Sequence, residues 1–284
     1  MYKSFRPVRR QGRLTNCRKI DLMRRSFSAG GIGLLLWTGL AWPQRPSEPD
    51  AQAAIENSRQ KGLDYARSLP DFVCTEVIRR YADRSRSGHW LPTDKLTIKL
   101  SYFEQNEQHK LMLIDDKPTD RRYESLDGAI GIGEFGGTLH SIFDPVSEST
   151  FHWESWKTVR KHGAAVYSYV VQPSRSHYVL VSATPGGLRK AIVGYHGVLE
   201  IDRETGDVLH FTYEADHIPR ELLLDYAVTT VDYDLADVGG RDYLLPVRSQ
   251  SEVHSPRLSA RNESEFREYR KFGSDSTITF GAGK

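Results

Sequence analysis

Apolar and polar residues alternate with a period of two through most of the chain from Phe72 onward, as strands with one buried face require. The pattern is clearest in GVLEIDRETGDVLHFTYEAD at 197–216, where two alternating segments flank a polar turn ending in Gly206-Asp207. Such a turn is a strong hairpin signal. Simple alternation puts Leu209, Phe211 and Tyr213 on one face of its second strand. Comparable runs predict strands at 72–81, 96–104, 110–115, 151–160, 164–172, 177–182, 191–195, 197–201, 208–213, 226–235, 242–254, 264–269 and 276–280. In the second and third of these, Ile98, Leu100 and Tyr102 point one way, and Leu111 and Leu113 alternate similarly.

The period changes in two places. Between 51 and 69, Ala54, Ile55, Leu63, Tyr65, Ala66 and Leu69 recur among charges at helical spacing, with Asp50 placed to cap the start and Pro70 to stop the end. Between 121 and 148 the strand pattern lapses. There Phe135, Leu139, Ile142 and Phe143 are spaced as on a helix, but glycines interrupt them and Asp144-Pro145 closes the segment, which predicts short helices rather than one long one. The strands are joined by short turns, so neighbours run antiparallel, and no strand–helix–strand rhythm points to a doubly wound sheet. The expected fold is mainly β with minor α. It is a strongly curved antiparallel sheet, an open, half-closed barrel, with an N-terminal helix and a short helical lid.

Charge then separates the first residues from the rest. Nine Lys or Arg and one acid occupy the first 25 positions of a chain whose formal net charge is +2, which leaves about −6 for the remainder. An acidic body lacks the electrostatic footprint of nucleic-acid binding. After the basic stretch, SFSAGGIGLLLWTGLA at 26–41 is apolar, short for a membrane span and rich in glycine, as in a secretory signal peptide. Arg24-Arg25-Ser26-Phe27 partly matches a twin-arginine signal, but an ordinary Sec leader whose Arg pair supplies the positive charge is the favoured reading. The expected organisation is a signal peptide with a basic extension at 1–44, a Pro-rich linker at 45–50, and one open-barrel domain at 51–284. Met23 competes with Met1 as the start. The predicted address is the periplasm or cell envelope. Cys17 lies in the leader, so Cys74 is left without an intramolecular partner and is expected to be buried in its strand.

No reaction is written in the motifs. Gly131-Ile-Gly-Glu-Phe-Gly136 fits a dinucleotide fingerprint by spacing, but a polar run precedes it where a buried strand is required. Ten scattered histidines show no chelating spacing. Convergence of His210, His217 and Asp216 in space is the metal alternative. Asp232 and Asp234 share one strand face, which could line a cleft but is the ordinary pattern of a solvated outer face. No serine sits in a nucleophile elbow. No cofactor, metal or catalytic residue is therefore assigned, and the protein is read as a non-enzyme. The remaining candidate feature is the aromatic content of the strands, notably Trp153, Trp156, Tyr167, Tyr169, Phe211 and Tyr213. These rings suit ordinary β packing or a concave face that receives an apolar ligand.

The leader, the opening helix, the long antiparallel strands, the mid-chain helical insertion and the 197–213 hairpin together resemble the superfamily of periplasmic lipoprotein carriers. That superfamily includes the lipoprotein-localisation chaperone, its outer-membrane receptor and a regulator of an anti-sigma factor. LPDFVCTE at 69–76 and YRKFGSDSTITF at 269–280 also resemble segments of uncharacterised exported proteins of soil bacteria. The resemblance implies an unclosed barrel whose apolar concave face is covered by short helices, with Phe135, Leu139, Ile142 and Phe143 in the lid. The ligand-binding residues expected on this reading are those four with Trp153, Trp156, Phe211 and Tyr213. The expected partner is a hydrophobic ligand, either a lipid, a lipoprotein acyl chain or an apolar polypeptide, and peripheral membrane contact is compatible with it. Two rival readings are an envelope sensor or scaffold that takes a protein partner along a strand edge, and a hydrolase whose site assembles only in three dimensions.

Overall fold

The structure is a computed structural model that describes residues 48–126 and 134–273. The leader, residues 45–47 of the expected linker, the first glycines of the Gly131–Gly136 motif and the strand expected at 276–280 lie outside the described residues.

Helix α1 (Glu48–Ser68) leads into β1 (Phe72–Asp83), β2 (Leu91–Phe103), β3 (Asn106–Ile114) and the two-residue β4 (Lys117–Pro118). A single 3-10 turn and the short helix α2 (Gly137–Phe143) follow. The chain continues through β5 (Thr150–Val159), β6 (His162–Val171), β7 (Val179–Thr184), β8 (Gly187–Ile192), β9 (Gly194–Asp202), β10 (Val208–Asp216), β11 (Tyr226–Asp237), β12 (Asp242–His254) and β13 (Ser259–Lys271). Eleven strands form one sheet in the order β4-β3-β2-β1-β13-β12-β11-β10-β9-β6-β5, and every pairing in it is antiparallel. Strands β4 and β5 remain as two edges, so the sheet is open. β7 and β8 pair only with each other.

The helix starts earlier than its sequence pattern predicts. Asp50 lies inside the first turn instead of capping it, and Pro49 occupies the turn where a missing N–H is tolerated. Ala51, Ala54, Ile55, Ser58, Gly62 and Tyr65 form its buried stripe. Four of the six, Ala51, Ala54, Ser58 and Gly62, are small and let the helix pack closely against its neighbours. The strand expected at 191–195 is in fact two: β8 ends at Ile192, and β9 starts at Gly194. Val193 is the joint where the chain leaves the separate hairpin for the large sheet. Residues 188–190, which the alternation left outside any strand, belong to β8.

Three β-bulges change which side chains face inward. In β3 the register steps between Leu113, opposite Thr97, and Leu111, opposite Ile98. Leu111 and Ile114 therefore pack together against Ile78, Leu96 and Ile98, and Leu113 does not. In β10 a step between Val208 and His210 puts Val208 among the inner-face residues in place of Leu209. In β5 a step between Trp153 and Ser155 sets Trp153 opposite Tyr167 and Trp156 opposite Ala165. An extra residue reverses the parity of all that follows it, so two tryptophans three positions apart reach the same face.

Candidate functional site

The inner face of the sheet is where α1 and α2 pack. Across it Tyr167, Tyr169, Tyr195, Leu199, Ile201, Phe211, Val231 and Tyr233 are buried together with Ala51, Ile55 and Tyr65 of α1 and Leu139, Ile142 and Phe143 of α2. Adjoining rings run from the β5 edge inward. Phe143 stacks on Phe151 at 5.6 Å, Tyr169 meets Tyr195 edge-on at 6.1 Å, and Phe211 lies between Tyr213 and Tyr233, 5.9 Å from each. Tyr65 closes the series edge-on to Tyr233 at 5.6 Å. Edge-on and offset contacts of this kind suit the ring quadrupoles.

Several of the phenol groups donate to main chain, and Tyr213 is hydrogen-bonded to the side chains of Thr229 and Thr138. The hydroxyls of Tyr65, Tyr102 and Tyr169 donate to the carbonyls of Leu244, Ala66 and Thr212, each at 2.8 Å, and Tyr167 donates to Ala51. Three of these bonds tie α1 to the sheet. At its outer side Asn57 Nδ2 donates to Thr205 O at 3.1 Å and Lys61 Nζ lies 2.6 Å from Asp207 Oδ1. The turn of the 197–216 hairpin is thus a docking point for α1. Inside that hairpin, a Cβ on Gly197 would fall 1.8 Å from the carbonyl oxygen of Thr212, so β10 approaches there as only glycine permits.

Helix α2 is attached differently. It is seven residues long, Gly136 at its start supplies no side-chain cap, and Leu139, Ile142 and Phe143 are its buried residues. The Phe143 ring rests over Gly62 of α1, where a Cβ would come within 2.1 Å of it. α2 therefore closes over the aromatic face mainly through apolar contacts and one ring seated in a glycine gap, with Ser149 Oγ donating to the Ile142 carbonyl at 2.5 Å and Thr138 hydrogen-bonded to Tyr213.

The eight residues expected to bind ligand do not form one group. Leu139, Ile142, Phe143 and Phe211 are fully buried in the inner-face core, and Tyr213, Trp153 and Trp156 are partly buried against it. The indole N–H groups of Trp153 and Trp156 are buried without a hydrogen-bond partner, and the rings lie 6.2 Å apart. Phe135 belongs elsewhere. It packs with Phe72, Tyr102, Phe266 and Tyr269 beneath β1, β2 and β13, so the expected lid is split between two cores. Cys74 is fully buried in that second core, and burial, with Glu76 nearby, pushes its thiol well above the usual range.

Beside Phe135 lies a buried polar cluster that the strand pattern does not reveal. Glu134 Oε1 accepts from Ser249 Oγ at 3.2 Å, and its carbonyl accepts from the Tyr233 hydroxyl at 2.6 Å. Glu76 Oε1 accepts from Ser264 Oγ at 2.8 Å, while its Oε2 is buried without a hydrogen-bond partner. Burial, reinforced by Glu134 and Glu107, pushes the Glu76 carboxyl up to about 8. Burial also raises Glu134 and lowers His109. His109 Nε2 is 3.9 Å from Glu76 Oε2, but both groups are driven toward their neutral forms, so the contact is not an ion pair near neutral pH.

The remaining sequence candidates are on the outer face. Asp232 accepts from the His210 ring at 2.8 Å and Asp234 pairs with Arg160 at 2.6 Å, which makes them surface ion pairs. His210 does not join Asp216, whose partner is His196 at 2.8 Å.

No family model matches the chain, and no curated protein matches it. Among solved structures it is similar to a DUF1329 family protein from Desulfovibrio piger, with 12% identity over 81% of this chain and 95% of that one and a TM-score of 0.36. A LolA superfamily protein from Nitrosomonas europaea is similar at 9% identity, over 78% and 94% of the two chains, with a TM-score of 0.32. A domain from Vibrio parahaemolyticus, given a lipoprotein-sorting role by name only, is similar at 12% identity, over 80% and 95%, with a TM-score of 0.35.

Proposed function

We propose that this is an exported, non-catalytic protein of the cell envelope that binds a hydrophobic ligand on the inner face of its open sheet. On this reading residues 1–44 are a cleaved leader and the rest is one open-barrel domain, whose α1 starts at Glu48 inside the expected 45–50 linker. The observation that carries the proposal is the contrast between the two helices on the aromatic face. Helix α1 is fixed by phenol bonds and by Lys61 and Asn57, whereas the short α2 buries Leu139, Ile142 and Phe143 mainly in apolar contacts, with fewer polar ties, from Ser149 Oγ to the Ile142 carbonyl and between Thr138 and Tyr213.

Movement of α2 would uncover the side chains of Phe151, Tyr169 and Phe211, and an acyl chain or apolar peptide would replace its contacts. Each square ångström of apolar surface so covered contributes about 25 cal/mol. Ligand and α2 compete for one surface, so the affinity reflects the difference between their contacts. Trp153 and Trp156, at the β5 edge, offer two indole donors to an ester or carboxyl oxygen at the open end of the face.

The test is native mass spectrometry of the protein purified from the cells that make it, with titration by a fluorescent fatty acid. Co-purifying lipid, and dye binding that is competed by unlabelled fatty acid, are the expected results. Absence of both would overturn the proposal. Lipid in the mass spectrum and an apolar peptide in its place distinguish the two ligand classes.

A further inference from the structure

The β7–β8 hairpin stands apart from the sheet and is amphipathic in an unusual sense. Its inner side is anchored, since Leu180 at its root is buried with Val193, Ala215, Leu222 and Ala227. Its outer side carries the cross-strand pairs Val179–Ile192, Val181–Lys190 and Ala183–Leu188. Four large aliphatic residues there are open to solvent: Val179 at 46%, Val181 at 58%, Leu188 at 78% and Ile192 at 56% relative exposure. Scattered exposed aliphatics need no explanation, but a row of them on one face of a projecting element does. Exposure is greatest at Leu188, beside the Pro185-Gly186-Gly187 tip.

Charge indicates what covers this face. Residues 155–199 contain six Lys or Arg and no Asp or Glu, in a chain whose remainder after the leader is net acidic. Lys157, Arg160 and Arg175 pair with Glu200, Asp234 and Glu148. Arg189 and Lys190 have no ion-pair partner among the described residues; Lys190 is on the aliphatic face, and the exposed Arg189, opposite Ser182, flanks it from the other face near the tip. Lys190 sits in the middle of the aliphatic row, where its stem can lie on apolar surface while the ammonium reaches outward. A second copy of the hairpin would bring Lys190 toward Lys190, which disfavours self-association through this face.

We infer that the β7–β8 hairpin is a docking finger for an anionic lipid surface, with Leu188, Val181, Val179 and Ile192 entering the interface and Arg189 and Lys190 contacting lipid phosphates. Apolar burial and attraction to anionic lipid act together in interfacial elements of this kind. Because the body is acidic, the same surface repels it elsewhere, and the hairpin sets the orientation of the docked protein.

Vesicle co-sedimentation tests this, using protein purified in the form in which cells hold it. Phosphatidylcholine vesicles are compared with vesicles that also contain phosphatidylglycerol. Binding is expected only to the second and is expected to fall as salt is raised. Each basic residue near an anionic surface contributes about fivefold, so Arg189→Gln with Lys190→Gln together should weaken binding about thirtyfold. Val181→Ser with Leu188→Ser should weaken it at unchanged charge. These positions are exposed, so thermal unfolding should be unchanged in both variants. No vesicle binding by the parent protein, equal binding to neutral vesicles, or binding that survives both double variants, as a retained basic leader would give, each overturns the inference.

Discussion

The two faces of the sheet are built from the same strands but held by opposite physics. On the inner face, successive strands contribute Tyr167, Leu199, Phe211, Val231 and Tyr233 to one packed core under α1 and α2. On the outer face, the neighbouring positions contribute polar and charged groups that pair across the strands. Glu200 is opposite His210, His210 opposite Asp232, Asp232 opposite Arg248, and Arg248 opposite Glu265. Lys157 reaches Glu200 at one end and Arg79 lies 3.7 Å from Glu265 at the other. Opposite charges across strands contribute a few tenths to about 1 kcal/mol a pair, whereas each large side chain on the inner face contributes about 1.5–3 kcal/mol by burial. The inner face therefore sets most of the stability, and the outer row adds little to it.

The sharpest way to break this contrast is to compare adjacent residues of β10. Phe211→Ala should destabilise by about 3–5 kcal/mol through lost burial and a residual cavity, whereas His210→Ala, one position away on the outer face, should change stability by less than about 1 kcal/mol. Urea unfolding midpoints of the two variants measure this directly. Similar losses for both would show that the outer charges are worth as much as the core.

The buried carboxylates give the next effect. Glu76 has its pKa raised to about 8 by burial and by Glu134, so the folded state holds a proton that the unfolded chain releases near 4.5. Below that value both states are protonated and Glu76 adds no pH dependence. As pH rises from about 4.5 to about 8, stability should fall by up to about 1.4 kcal/mol per unit from this group, and above 8 the dependence should level off. Glu76→Gln should flatten the decline and leave the variant more stable than the parent in mild alkali. An unchanged pH profile would mean that Glu76 is ionised in the folded protein.

A smaller effect is expected where the helices meet. Gly62→Ala places a methyl group in the space of the Phe143 ring, which should cost about 1–3 kcal/mol and weaken the closure of α2. Fluorescent fatty-acid affinity should rise as stability falls, because the dye and α2 compete for the same face. A loss of stability with no gain in dye binding would separate α2 from ligand access.

How much of this was legible in the sequence follows from what each feature depends on. Alternation alone was enough for the sheet, because a strand with one buried face must repeat every two residues. The 242–254 strand has those bounds in the structure, and the 197–216 hairpin is β9 and β10. Alternation failed at bulges, where one inserted residue reverses parity: Leu113 and Leu209 left the faces assigned to them, and Trp153 and Trp156 came to share one. It also missed the Glu76, Glu134 and His109 cluster, since its partners come from β1, β3 and the segment before α2, and no local spacing encodes that convergence. Of the expected site, Leu139, Ile142, Phe143 and Phe211 were brought together, but Phe135 was drawn to a separate core by Phe72 and Tyr102.

The smallest effect belongs to the outer row, and its pH dependence runs opposite to that of Glu76. The hydrogen bond from His210, with the positive charges of His210, Arg160 and Arg248, holds the Asp232 carboxyl below its usual range. The folded state therefore favours the ionised form. The stability it contributes is present above the unfolded value of about 3.9 and is lost as pH falls through the lower folded value. Asp232→Asn should cost less than about 1 kcal/mol at neutral pH, because the carboxylate is more than a third exposed and screened by solvent. The difference from the parent should shrink in concentrated salt and vanish in strong acid, where both chains are neutral at this position. Unfolding curves at neutral and acidic pH, each with and without added salt, measure both trends. If the loss persisted in acid, Asp232 would act through packing or hydrogen bonding rather than charge, and the outer face would resemble the inner one more than its exposed ion pairs indicate.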